Sequence, residues 1–133
     1  MAMSQSFHVG QTFVAERTFT VEDVQAFTRI SGDAGVQHVA ADADGRLWVH
    51  GLLVASLTTE VGGRIDYLAR RMDYEFLRPV KTGDHVRCEV RVDELTEEAD
   101  RYRMVVSTRC TNQLGKEVMR GLTHGVVLKR SAP

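Results

Sequence analysis

The stretch GLLVASLTTEV, residues 51–61, constrains the fold of this chain more than any other. Placed on a helix, Leu52, Leu53, Val54, Ala55, Leu57 and Val61 cover most of its sides with apolar side chains. A helix apolar nearly all round has to be buried, so other parts of the chain must wrap it. The Gly62-Gly63 pair is expected to end it.

The wrapping material follows directly. RRMDYEFLRPV, HVRCEVRVDEL, RYRMVVSTRC and GKEVMRGLTHGVVLKR read as strands, with alternation clearest at Val86, Cys88, Val90 and Val92. Lys81 to Asp84, Thr96 to Asp100 and Asn112 to Gly115 supply short turns. Short connections make the sheet antiparallel. Upstream, HVGQTFVAERTF supplies one further strand. TFTVEDVQAFTRISGD then reads as a helix capped by Thr20 with Asp23 three residues on, presenting Val21, Val24, Phe27 and Ile30, and stopped at Gly32. VAADADGRLW, with no sustained period, reads as a loop. The order defines an α+β protein in which an antiparallel sheet packs on a central helix.

At 133 residues the chain holds one hydrophobic core comfortably, so a single domain over residues 1–133 is expected. A net charge of −1 gives no general attraction for polyanions, and nucleic acid is not an expected partner. The opening MAMSQSFHVGQTF has no basic flank followed by an apolar run, and HGLLVASL is too short to span a bilayer. A cytoplasmic location, with no membrane partner, is therefore expected. Cys88 and Cys110 have no metal-type spacing. A hairpin turning near Ala99 puts them opposite each other on one face, as small buried residues in preference to a disulfide.

The residues that carry chemistry flank the loop. Asp33 and His38 are a carboxylate and an imidazole five residues apart, and a loop can turn both toward one water. An Asp after Ser-Gly is also a common turn residue and a lone His is commonly structural, so spacing alone does not choose. His50 and Gly51 stand where the buried helix begins. There the first N–H groups have no partner in the helix, and a glycine lets a carbonyl oxygen approach them. A plain helix start reads equally well.

Taken together, FTRISGDAGVQH, VHGLLVAS and FLRPVKTGD resemble the hydratase motif of the MaoC-like hot-dog family, which includes the (R)-specific enoyl-CoA hydratases. FHVGQTFVAERTFTVEDVQAF and NQLGKEVMRG are similar to the family's opening strand and helix and its closing hairpin, so the resemblance runs from about Phe7 to Leu128. It implies a hot-dog fold and reversible hydration of a trans-2-enoyl thioester to an (R)-3-hydroxyacyl thioester. By the same resemblance Asp33 and His38 are the catalytic pair, and the Gly51 N–H receives the thioester carbonyl. Ser31 and His50 support the site. Which member of the pair acts as acid and which as base stays open. No metal and no resident cofactor are implied, because coenzyme A or an acyl-carrier-protein arm is part of the substrate. A homodimer, or a dimer of dimers, is implied as well.

The chain departs from the family pattern in three places. Gly35-Val36 replaces Asn-Pro, Gln37 replaces an apolar residue, and the segment from His38 to His50 is shorter than the family's overhang above the acyl chain. An acyl-CoA thioesterase and a non-catalytic acyl-thioester binding or partner subunit are the competing readings. Trp48 is a candidate for the acyl pocket and Arg78 for a coenzyme A phosphate, each with a purely structural alternative. His124 reads as structural or interfacial. His8, His38, His50, His85 and His124 lack the short spacing of metal ligands.

Overall fold

The computed structural model describes residues 6–130. Residues 1–5 and 131–133 of the expected domain and opening segment lie outside the described residues. The elements run β1 (Thr12–Thr18), α1 (Val21–Ser31), α2 (Val36–Val39), α3 (Gly51–Ile65), β2 (Tyr67–Phe76), β3 (His85–Glu97), β4 (Arg101–Thr111) and β5 (Glu117–Leu128).

The five strands form one antiparallel sheet in the order β1-β3-β4-β5-β2. Alternation sets its inner face. Val86, Cys88, Val90 and Val92 of β3 and Met104, Val106, Thr108 and Cys110 of β4 are buried. Cys88 and Cys110 are register partners with free thiols, which matches the hairpin geometry read from the sequence. Against this face lies α3, through Val54, Ala55, Leu57, Val61 and Ile65. The chain leaves β1 at one edge, crosses in α3, and returns in β2 at the other edge.

In two respects the helices differ from the sequence reading. Gly62 and Gly63 do not end α3, which continues to Ile65 and is closed by Asp66 in the left-handed region, φ 55°. Each interior glycine costs about 1 kcal/mol relative to alanine, which is offset here by burial of Val61 and Ile65 on either side. The helix is also not buried all round: Leu52 is 70% exposed. The first helix ends as expected, with the reciprocal Thr20–Asp23 capping box and Gly32 at φ 75°. Of its apolar stripe, however, only Val24 is fully buried, and Ile30 faces solvent.

Two glycines of β5 shape the inner face near its β2 edge. A Cβ at Gly121 would lie 2.5 Å from Tyr74 Cδ1, and one at Gly125 would lie 2.5 Å from Tyr67 Cζ. The missing side chains let both tyrosine rings lie across the sheet, so that their hydroxyls reach beneath α3. No helix among the described residues is long and apolar enough to cross a membrane.

Candidate active site

Gly32 turns the chain out of α1, and the next residue is Asp33. Its N–H donates to Ser31 Oγ (3.0 Å), and its Oδ1 accepts the Gly35 N–H (3.1 Å). The Gly35-Val36 loop is thus fastened in part by Asp33 itself. One carboxylate oxygen holds the turn, and the other, Oδ2, takes no part in it. After Gly35 the chain forms the single turn α2, which places His38 with 7% of its surface exposed.

His38 Nδ1 lies 2.7 Å from the Trp48 carbonyl oxygen. A carbonyl only accepts, so Nδ1 carries a proton, and Nε2 is the nitrogen left to accept one. That nitrogen is 3.7 Å from Asp33 Oδ2, too far for a direct hydrogen bond. An ionised carboxylate and an unprotonated imidazole nitrogen are both acceptors. Two acceptors at that spacing can take the two protons of one water, which would leave its lone pairs turned outward.

His50 supports both groups. Its ring stacks on His38, with centroids 3.7 Å apart and planes at 16°, and on its other side stacks Phe27 of α1 at 4.9 Å. Its Nε2–H donates to the Asp33 carbonyl oxygen (3.0 Å) and lies 3.3 Å from Thr28 Oγ1. Asp33, His38 and His50 bring ligand-type atoms within 4.8 Å of one another. Yet the near-parallel rings aim their in-plane lone pairs side by side, whereas two imidazole ligands to one ion need them to converge.

Gly51 is the first residue of α3, and its N–H has no hydrogen-bond partner among the described residues. A Cβ here would meet Phe76 ring carbons at 3.1 to 3.4 Å, a tight contact that the ring would have to relieve by a few tenths of an ångström. Gly51, Phe76, Trp48 and Arg78 line one cavity of about 280 Å³. The Arg78 guanidinium already donates to the Glu117 carbonyl (2.7 Å). His8, His85 and His124 lie elsewhere: His85 faces Glu16, and His124 is exposed on β5.

The sequence reading missed what closes the short segment between His38 and His50. Asp42 accepts from the N–H groups of Asp44 and Arg46, from the Trp48 indole N–H and from Lys81 Nζ, which also contacts Asp44. The ammonium holds the Asp42 carboxyl well below the usual carboxylate range, and the backbone N–H donors add to this. Asp42, Asp44 and Gly45 are a recognisable turn signal, but nothing local in the sequence points to Lys81, which arrives from beyond β2.

Both the fold and the comparisons with known proteins define a class. The thioesterase superfamily profile matches residues 48–116, and the sheet wrapped on α3 is the hot-dog arrangement shared with its structural neighbours. The chain belongs to the thioesterase superfamily of hot-dog proteins. Among its relatives is a 3-hydroxybutyryl-CoA dehydratase of Methylorubrum extorquens, 31% identical over 126 residues that cover 86% of this chain and 76% of that protein. The (R)-hydratase from A. caviae involved in PHA biosynthesis superposes with a TM-score of 0.81 at 30% identity, covering 95% of this chain and all of that one (100%). R-hydratase PhaJ1 from Pseudomonas aeruginosa gives the same TM-score of 0.81 at 25% identity, covering 94% and 84%. These relatives are hydratases and dehydratases, that is, hydro-lyases.

Proposed function

We propose that this protein is a MaoC-like hydro-lyase that adds water across trans-2-enoyl thioesters to give (R)-3-hydroxyacyl thioesters, and catalyses the reverse dehydration. The observation that carries this reading is the convergence of two acceptors, Asp33 Oδ2 and His38 Nε2, 3.7 Å apart, with the His38 ring stacked on His50, the residue that precedes Gly51 at the start of α3. The named relatives support the reaction class.

In the proposed reaction the Gly51 N–H donates to the thioester carbonyl oxygen, stabilising enolate character as the β-carbon is attacked. Asp33 and His38 hold the water. As its oxygen bonds to the β-carbon, the pair takes a proton from it and delivers one to the α-carbon from the same face. One H and one OH are added, the pair returns to its starting state, and the addition is syn. The substrate brings its own coenzyme A or carrier arm, so no resident cofactor takes part.

Assembly as a homodimer goes with this reading. Among the described residues β2 pairs only with β5, so its outer edge is open there, and Leu68 and Met72 of β2, like Leu52 on α3, are more than half exposed. A second copy of the chain is the proposed partner for that edge.

The test is purified protein with crotonyl-CoA, following loss of the conjugated enoyl-thioester absorbance. Wild type is expected to be active, and Asp33→Asn and His38→Gln each to lose about 100- to 10,000-fold in kcat while keeping the wild-type circular dichroism spectrum. No absorbance change with short, medium or branched enoyl-CoAs rejects the proposal, and release of free thiol identifies a thioesterase instead.

A further inference from the structure

A second cavity, of about 600 Å³, lies between α3 and the inner face of the sheet. Its walls are mostly apolar, Val61, Ile65, Val90 and Val106 among them. On the helix it reaches Thr58, seven residues beyond Gly51 and so about 10 Å along the axis. Apart from the Asp66–Arg130 ion pair and the exposed Thr59, its polar side chains are hydroxyls, and their protons can be followed one by one.

Thr58 donates to the Ala55 carbonyl (2.7 Å), so it accepts from the Tyr74 hydroxyl (3.2 Å). Tyr74, with its proton committed, accepts in turn from Thr123 (2.8 Å). The Tyr67 hydroxyl is shared between the Met104 and Thr123 carbonyls at 2.9 and 3.2 Å. Four hydroxyl protons are thereby used within the protein.

Thr108 breaks the pattern. It lines the same cavity at 4% exposure, and its Oγ1 has no hydrogen-bond partner among the described residues. A buried hydroxyl without a partner is costly and points to a missing one. It offers a donor, in a pocket whose other buried hydroxyls are paired, to whatever enters.

We propose that the acyl chain bound by this protein carries a hydrogen-bond-accepting oxygen, a keto or hydroxyl group remote from the thioester, and that Thr108 Oγ1 donates to it in this cavity. The inference rests on the acyl-thioester reading above and narrows its substrate class. A site built to pair a buried hydroxyl discriminates against the analogue that leaves it unpaired.

The test separates binding from chemistry by using saturated thioesters, which cannot be hydrated. Decanoyl-CoA and a keto-decanoyl-CoA oxygenated near the far end of its chain are titrated calorimetrically into wild type, Thr108→Val and Thr108→Ser. Wild type is expected to bind the oxygenated thioester about tenfold tighter, the worth of one hydrogen bond. Thr108→Val, nearly the same shape, should lose that ratio, and Thr108→Ser should keep it. Equal binding by wild type, a preference that survives in Thr108→Val, or no binding of either thioester overturns the proposal. Crotonyl-CoA turnover is measured alongside. An oxygen preference in a protein that hydrates no enoyl-CoA would reject the hydratase reading while leaving the cavity assignment in place.

Discussion

The His50 ring lies face to face with the His38 ring, 3.7 Å between centroids, while its Nε2–H donates to the Asp33 carbonyl. One side chain therefore contacts both members of the proposed pair and holds them relative to each other. His50→Ala is expected to lower kcat for crotonyl-CoA about 100-fold, the scale of an ångström of misplacement, with a much smaller change in KM. His50→Phe keeps a ring against His38 but loses the hydrogen bond to the loop, and should fall between wild type and His50→Ala. If both variants match wild type in steady-state kinetics, His50 has no positioning role.

Gly51 and Phe76 form a second linked pair. The Gly51→Ala methyl would stand 3.1 Å from the Phe76 ring, displacing either the ring or the helix start that presents the N–H. The expected loss in kcat/KM is about tenfold, equivalent to one weakened hydrogen bond. Adding Phe76→Ala should recover most of it by relieving the contact. A double variant no better than Gly51→Ala would show that the contact is not the cause.

The loop between α1 and α2 can be stiffened. Val36 is the first residue of α2, its N–H has no partner among the described residues, and Gly35 before it is extended at φ −52° and ψ 147°. Proline fits the first helical position and needs an extended residue ahead of it. Val36→Pro is expected to raise stability by about 0.4–1 kcal/mol through the unfolded chain, read as a higher denaturation midpoint, with activity retained. A lower midpoint would mean that the loop geometry is not the one described.

Asp84 is one of the carboxylates through which acid weakens the fold. Its carboxylate accepts from the Lys81 N–H (2.9 Å), Gln113 Nε2 (2.8 Å) and Arg46 Nη1 (3.1 Å). Burial pushes its pKa up, but the three donors together outweigh burial and hold it below the usual value. A depressed folded pKa contributes stability that is fully present above the unfolded value, about 3.9, and is lost as pH falls through the folded pKa. Thermal melts should therefore show wild type losing stability below about pH 4. Asp84→Ala, which leaves three donors unpaired, should be destabilised by about 2 kcal/mol at neutral pH and lose less on acidification. Parallel melting curves for the two proteins across that range would contradict this.

The sequence alone determined whatever is encoded within a turn or a strand pair. Thr20 and Asp23 start α1 and Gly32 ends it, because capping groups act on backbone a few residues away. That β3 and β4 pair as a hairpin was legible from the turn between them, although Cys88 faces Cys110 only because the register shifts by one residue between Val92 and Glu94. The closeness of Asp33 and His38 was legible for the same reason, being five residues apart across one turn. Only the tertiary structure decided the rest. The length of α3 past Gly62-Gly63 depended on burial outweighing propensity. The His38–His50 stack, Lys81 closing on Asp42, and the Tyr67 and Tyr74 rings filling the space left by Gly125 and Gly121 all join segments that no local period relates. Side-chain contacts between distant segments are fixed by how the sheet closes on α3, and packing of that kind leaves no repeating signature in a single sequence.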